Sequence, residues 1–261
     1  MNDRSDLEVG LIQSKLHWED AEANRVMFEE KLEKLPQTTD LAILPEMFTT
    51  GFSMQPESLA EPHLGQSFEW MQQMAARNDM VVTGSLIIKE RINYFNRLYV
   101  VFPDGSHRYY DKRHLFRMGQ ENEHYTAGGQ RMTFTLKGWR IRPLICYDLR
   151  FPVWIRNRSD YDLLLFVANW PEVRRHVWKT LLTARALENQ VYVVGVNRIG
   201  EDGKGLTYAG DSMVLHPKGH AISQAQPHET SEQAVRLSMD ELVRFREKFP
   251  VEKDADDFVI K

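Results

Sequence analysis

Arg140-Ile-Arg-Pro-Leu-Ile-Cys-Tyr-Asp-Leu-Arg-Phe-Pro152 joins an apolar run to a charged turn at the one cysteine of the chain. Its first six residues form a short apolar run suited to a buried strand, and the run stops where Cys146 meets charge. Similar runs lie at Leu41–Leu44, Met80–Ile88, Arg97–Phe102, Leu163–Val167 and Val191–Val196, most of them bounded by Gly, Pro, Asp or Asn. Continuous apolar strands of this kind are buried on both faces. Between some of them the spacing is helical. Over Ala21–Leu35, Val26, Phe28, Leu32 and Leu35 share one stripe, and over His176–Gln190, Val177, Thr180, Leu181 and Ala184 share another. Strands alternating with helices predict an α/β layered fold. Residues 80–88 and 97–102 read as a hairpin joined across Asn93-Tyr-Phe-Asn96, which makes the sheets mixed rather than purely parallel.

The chain has 261 residues, with no internal repeat, low-complexity tract or Pro/Gly/Ser linker, so 1–261 reads as a single domain. Lys and Arg number 33 against 37 Asp and Glu, a net charge of −4, and no broad basic field invites nucleic acid or acidic lipid. The N-terminus mixes charges with single apolar residues, unlike a secretory signal, and no later run is long enough for a membrane helix. The expectation is a soluble protein of the cytoplasm.

Cys146 is the one cysteine, which excludes an intramolecular disulfide and an all-cysteine metal cage. A free cysteine is commonly a small buried hydrophobe, and it becomes a nucleophile only where the local field allows. Its place at a strand end in an α/β sheet is where sites form. Glu46, in Leu41-Ala-Ile-Leu-Pro-Glu-Met-Phe48, ends another apolar run and is either a general base or a solvated loop acid. Lys112, in Tyr110-Asp-Lys-Arg-His-Leu-Phe116, is either one more solvated lysine or an ammonium that lowers a thiol's pKa and stabilises an oxyanion. Glu121, in Gly119-Gln-Glu-Asn-Glu-His-Tyr-Thr-Ala-Gly128, either positions that lysine or joins Glu123 as a loop acid.

Weaker signals point elsewhere or nowhere. Gly200-Glu-Asp-Gly-Lys-Gly205 lacks a phosphate-loop pattern and reads as a turn-rich loop. The histidines show no metal-ligand spacing, no Gly-x-Ser-x-Gly occurs, and Asp254-Ala-Asp-Asp257 reads as a solvated acidic segment.

Taken in order with their flanks, Glu46, Lys112 and Cys146 resemble the Glu-Lys-Cys triad of the carbon–nitrogen hydrolase family, also called the nitrilase superfamily. Ala168-Asn-Trp-Pro171, Arg185-Ala-Leu-Glu-Asn-Gln190 and Tyr208-Ala-Gly-Asp-Ser212 extend the resemblance over most of the chain. Phe151-Pro-Val-Trp-Ile-Arg-Asn157, Val167-Ala-Asn-Trp-Pro171 and Val194-Gly-Val-Asn-Arg198 are most similar to its bacterial ω-amidase branch. The resemblance implies a four-layer αββα sandwich that pairs with a second copy as a homodimer, with the C-terminal stretch of about 240–261 a candidate for the interface. It implies hydrolysis of the terminal amide of 2-oxoglutaramate and related ω-amides through a Cys146 thioester, without metal or organic cofactor. Glu46 would be the base, Lys112 and the backbone N–H of Tyr147 the oxyanion donors, and Glu121 the auxiliary acid. A substrate carboxylate would need a cation, and Arg150 is a candidate for that or for a structural ion pair; Trp170 is a candidate pocket wall or a core residue. The alternatives are a sister hydrolase acting on a carbamoyl, another amide or a nitrile, and a catalytically silent binding protein.

Overall fold

The computed structural model describes residues 5–260. Its first half runs β1 (Leu7–Gln13), α1 (Ala21–Leu32), β2 (Leu41–Ile43), α2 (Pro56–Leu59), β3 (Glu61–Pro62), α3 (Gln66–Asn78), β4 (Val81–Glu90), β5 (Asn93–Val101), β6 (His107–Asp111) and α4 (Glu121–His124). Its second half runs β7 (Phe134–Leu136), β8 (Trp139–Ile145), α5 (Pro152–Ile155), β9 (Leu163–Ala168), α6 (Arg175–Asn189), β10 (Tyr192–Asn197), β11 (Ile199–Glu201), β12 (Thr207–Ala209), β13 (Met213–Leu215), β14 (Ala221–Gln224), β15 (Ser231–Leu237) and α7 (Met239–Lys248).

Two mixed sheets result. The first has the order β15-β1-β2-β4-β5-β6, with β3 beside β4; the second has the order β14-β13-β10-β9-β8-β7. Each is built on three parallel strands, β1-β2-β4 in one and β8-β9-β10 in the other, with antiparallel strands outside them. The period-2 alternation of side chains sorts the first sheet's residues onto two faces. Leu41, Ile43, Val81, Leu98 and Val100 turn toward the second sheet, where they share a core with Ile141, Ile145, Leu165 and Val194. Ala42, Val82, Tyr99 and Val101 turn the other way, onto Phe28 and Leu32 of α1 and Phe68, Met71 and Met74 of α3. On the second sheet, α6 lies over β10 so closely that a Cβ on Gly195 would stand 2.6 Å from Leu182 Cδ1. The layers are helix, sheet, sheet, helix.

Several expectations need correction. The β4–β5 turn is Arg91-Ile92, with Arg91 at φ 56°, and Asn93–Asn96 lie inside β5. The loop placed at 93–96 is strand because Asn93 to Asn96 pair in register with Glu90 to Ile87. Val26 is 56% exposed, while Phe28, Leu32 and Leu35 are buried as the stripe required. In α6 the buried stripe is Trp178, Leu182, Arg185, Ala186 and Asn189, turned by about one residue from the expected one. That rotation lets Arg185 reach the Leu149 carbonyl at 2.7 Å, a polar tie an apolar-only pattern does not register. The N-terminal segment passed over in the sequence is β1, a buried strand between β15 and β2.

The C-terminal stretch folds onto its own chain. Arg246 Nη1 meets Asp162 Oδ1 at 2.7 Å, and Ile260 packs against the main core. No helix among the described residues is long and apolar enough to cross a membrane.

Candidate active site

The C-terminal ends of parallel strands from both sheets meet at one place, as ligand sites in open α/β sheets do. Glu46 follows β2, Cys146 follows β8, Trp170 follows β9 and Asn197 ends β10, while Lys112 follows β6. The Glu46 loop can lie flat on β4 because residue 84 is glycine: a Cβ there would stand 2.9 Å from both Leu44 Cβ and Phe48 Cδ1. Cys146 has φ 41° and opens a short 3-10 turn over Cys146–Arg150. A non-glycine residue in that left-handed region is strained, and the turn is held by other bonds. Asp148, fully buried, accepts from the Ile145 amide at 3.1 Å, Tyr110 Oη at 2.9 Å and the His114 amide at 3.0 Å. His114 in turn stacks on Phe151 with ring centroids 3.8 Å apart.

Glu46, Lys112 and Glu121, far apart in sequence, form one buried ionic group. Lys112 Nζ donates to Glu46 Oε1 at 2.8 Å and to Glu121 Oε1 at 3.0 Å, and all three side chains are at most 1% exposed. The remaining carboxylate oxygens are also satisfied: Glu46 Oε2 accepts from the Asn169 amide at 2.7 Å, and Glu121 Oε2 from the Phe116 amide at 2.6 Å. Burial alone would lower the Lys112 ammonium's pKa, but the charges of Glu121 and Glu46 outweigh it and hold it above its ordinary value. Burial raises the Glu121 carboxyl, Lys112 draws it back, and the like charge of Glu46 adds to the rise. Two carboxylates on one ammonium share at most one neutralising charge.

Cys146 is partly exposed at the edge of this group, with Sγ 3.9 Å from the Asn169 carbonyl. Its thiol is pushed well above its ordinary pKa, first by burial and then by the Glu46 carboxylate, with Lys112 pulling only part of the way back. The ammonium does lower the thiol, as one of the two readings of Lys112 expects, but burial and the carboxylate outweigh it. A thiol held so far up gives its proton to a neighbouring base more readily than to water.

A pocket of about 300 Å³ opens over Cys146, room for a small molecule. Phe52, Phe116, Tyr147 and Trp170 supply apolar wall, and Arg150, Arg174 and Lys204 supply positive charge. Among the described residues, Arg150 has no carboxylate partner; its guanidinium lies over the rings of Trp170, at 5.3 Å, and Tyr147, at 5.9 Å. The structural ion pair kept open for it does not form there. Trp170 is both wall and core: it is 4% exposed, packs 5.5 Å from Trp178 and donates Nε1 to the Arg174 carbonyl at 2.9 Å. The Tyr147 amide lies in the first turn of the 3-10 segment, where N–H groups have no acceptor within the helix.

Sequence reading passed over several participants. Asn169 bonds Glu46 twice, Asn197 clamps the Trp170 backbone through contacts of 2.8 and 3.0 Å, and Asp148 fixes the cysteine turn. Asn169 and Asp148 stand inside quoted motifs, and that was the signal available. The loop at 200–205 is the tip of the β11–β12 hairpin, and its Asp202 and Lys204 line the pocket.

The sequence profile of the carbon–nitrogen hydrolases matches residues 8–246. The chain belongs to the carbon–nitrogen hydrolase family. This hydrolase is 47% identical to an ω-amidase, YafV, of Escherichia coli K12, over 97% of this chain and 98% of that one. It is 32% identical to a 2-oxoglutaramate amidase of Bacillus subtilis 168, over 85% and 87% of the two chains. Its fold superposes at a TM-score of 0.96 on XC1258 of Xanthomonas campestris, a superfamily member crystallised with an arsenic adduct in its active site, at 44% identity over 98% of this chain and all of that one. The αββα architecture and mixed sheets are those of the family.

Proposed function

We propose that this hydrolase is an ω-amidase: it converts the terminal amide of 2-oxoglutaramate, and of related ω-amides such as 2-oxosuccinamate and succinamate, to the carboxylic acid and ammonia. The observation that carries the reading is the convergence of Cys146, Glu46 and Lys112 beneath a small pocket whose wall holds Arg150 without a carboxylate partner. The near-full-length similarity to YafV and to the Bacillus enzyme, each named for this activity, supports the same substrate class.

Glu46 takes the thiol proton as Cys146 Sγ attacks the amide carbonyl, which answers the raised thiol pKa without a standing thiolate. Lys112 Nζ and the Tyr147 N–H hold the developing oxyanion, each donor contributing about 10²–10³-fold. Collapse breaks the C–N bond, and Glu46 returns the proton to the departing ammonia. The thioester that remains is attacked by water, with Glu46 again the base, to give the acid and the free thiol. Glu121 orients Lys112 through its 3.0 Å bond, Arg150 takes the substrate carboxylate, and Trp170 walls the pocket. The chemistry calls on no metal or organic cofactor.

Residues 1–261 act as a single hydrolase domain in the cytoplasm, where the nucleophile stays reduced. Two copies pair as a homodimer, with the stretch of about 240–261, which exposes Phe249 and Val259, at the interface. Sedimentation of the full chain and of a chain lacking its last residues tests that pairing. The activity is tested by steady-state comparison of 2-oxoglutaramate, 2-oxosuccinamate and succinamate with glutamine, a carbamoyl acid and a nitrile. The first three lead if the reading is right; carbon dioxide released alongside ammonia from a preferred carbamoyl substrate would replace it with the sister activity.

A further inference from the structure

Asn96 enters the sequence reading only as the end of an expected hairpin joint, yet it lies at the centre of the ionic group. It sits in β5 opposite Ile87, is fully buried, and its backbone carbonyl accepts the Lys112 amide at 3.0 Å. Its side-chain Nδ2 lies 2.8 Å from Glu46 Oε1 and 3.3 Å from Glu121 Oε1. Those are the same two oxygens that Lys112 Nζ holds at 2.8 and 3.0 Å. Two donors and two carboxylate oxygens therefore alternate around one closed ring. The other end of the amide is unrewarded: Asn96 Oδ1 is buried without a hydrogen-bond partner among the described residues. A buried amide that leaves its oxygen unpaired is held there by its donor end, since an apolar residue of the same size would fill the space without that loss.

We propose that Asn96 is a positioning residue, the neutral half of a two-donor bracket that keeps Glu46 and Glu121 together on the single Lys112 ammonium with Glu46 ready to accept the thiol proton. The inference rests on the reading of Glu46 as the base, and it extends to any substrate that base serves. Two like charges in a dry site repel, and one ammonium neutralises one of them. Asn96 offers both carboxylates a dipole at no cost in charge. A second lysine there would quench the base by pairing it fully; an apolar residue would leave one carboxylate inclined to protonate. The ionisable groups around the bracket are Lys112, Cys146 and Tyr125, with Glu57 more remote, and none of them replaces the lost donor.

The test reads proton affinity rather than stability. In N96A the acid limb of kcat/KM for 2-oxoglutaramate is expected to move up by about one pH unit, with about a tenfold loss below the new limb. The second arm needs no amide substrate. Iodoacetamide alkylates Cys146 as the S–C bond forms, iodide leaves and the thiol proton passes to Glu46, so the acid limb of that rate should move by the same amount. Volume-matched N96L keeps the test open if the cavity left by N96A unfolds the chain. An acid limb that stays in place in both arms, with only a uniform fall in rate or a lower Tm, overturns the proposal. A shifted alkylation limb in an enzyme that ignores 2-oxoglutaramate upholds Asn96 and defeats only the substrate reading.

Discussion

The two sheets repeat one plan and divide the chemistry unequally. Each has three parallel strands with antiparallel neighbours, yet the first sheet's half supplies Glu46, Lys112 and Glu121, all buried, while the second supplies Cys146, Tyr147, Arg150 and Trp170, all on the pocket. The first half carries charge that the fold itself must neutralise. On the proposed mechanism the second carries groups that meet the substrate, and of these Cys146, Tyr147 and Arg150 can be changed with the core largely intact, whereas Trp170 is also core. Substitutions at those three should therefore cost activity alone, and substitutions in the first half should cost activity and stability together.

The largest effect is expected at Cys146. C146A should lose at least about 10⁴-fold in kcat, because the nucleophile is one member of a unit that fails as a whole. Its unfolding midpoint in urea should barely move, as for most changes at partly exposed sites. Residual turnover close to the wild type in a pure sample would remove the nucleophile from the account. K112A belongs to the other half. It should lose about 10²–10³-fold in rate from the oxyanion donor, and it should also lose about 3–5 kcal/mol of stability because two buried carboxylates are left without their cation. Urea titration of K112A beside C146A reads the contrast directly. Equal stabilities in the two variants would break it.

R150K tests the pocket wall. A lysine lacks the planar fork that grips a carboxylate with two bonds, so KM for succinamate should rise about tenfold while a neutral aliphatic amide is hardly affected. An unchanged KM withdraws Arg150 from carboxylate recognition and moves attention to Arg174 and Lys204, the other cations lining the pocket.

The smallest effect is a pH dependence. The Glu121 carboxyl is raised in the folded chain, above its ordinary value of 4.5. The native state then binds that proton more tightly than the unfolded state, so the group favours folding at low pH and loses that contribution as the pH rises through its folded pKa. E121Q removes the titration. Its stability relative to the wild type should improve from pH 4 toward neutral pH in urea titrations, whatever constant penalty the amide brings. A difference that is flat or falls over that range contradicts the raised carboxyl.

How much of this was legible in the sequence follows from burial. Strands such as Leu163–Ala168 and Tyr192–Asn197, covered on both faces, announce themselves as continuous apolar runs. β1 did not, because Glu8 and Gly10 interrupt it, although it is a central strand. The face of α6 was misread because Arg185 and Asn189 point inward to make hydrogen bonds, and hydrophobicity alone places such residues outside. At the site, Glu46 and Cys146 were legible as chemistry at the ends of apolar runs, and Lys112 only as one of two readings of a charged tripeptide. Asn96 was not, because its carboxylate partners lie 50 and 25 residues away and an asparagine in a strand carries no mark of what it will meet, while Asn169 and Asp148 showed only as members of quoted motifs.

The central claim is that the partly exposed Cys146 becomes acylated when Glu46 draws off its proton. Acid-quenching the enzyme during turnover of 2-oxoglutaramate and mapping the adduct by mass spectrometry tests it most directly. A 2-oxoglutaryl thioester is expected on the peptide containing Cys146, absent from C146A and slower to form in E46Q. Undiminished turnover with no adduct, or an adduct on another residue, would contradict it.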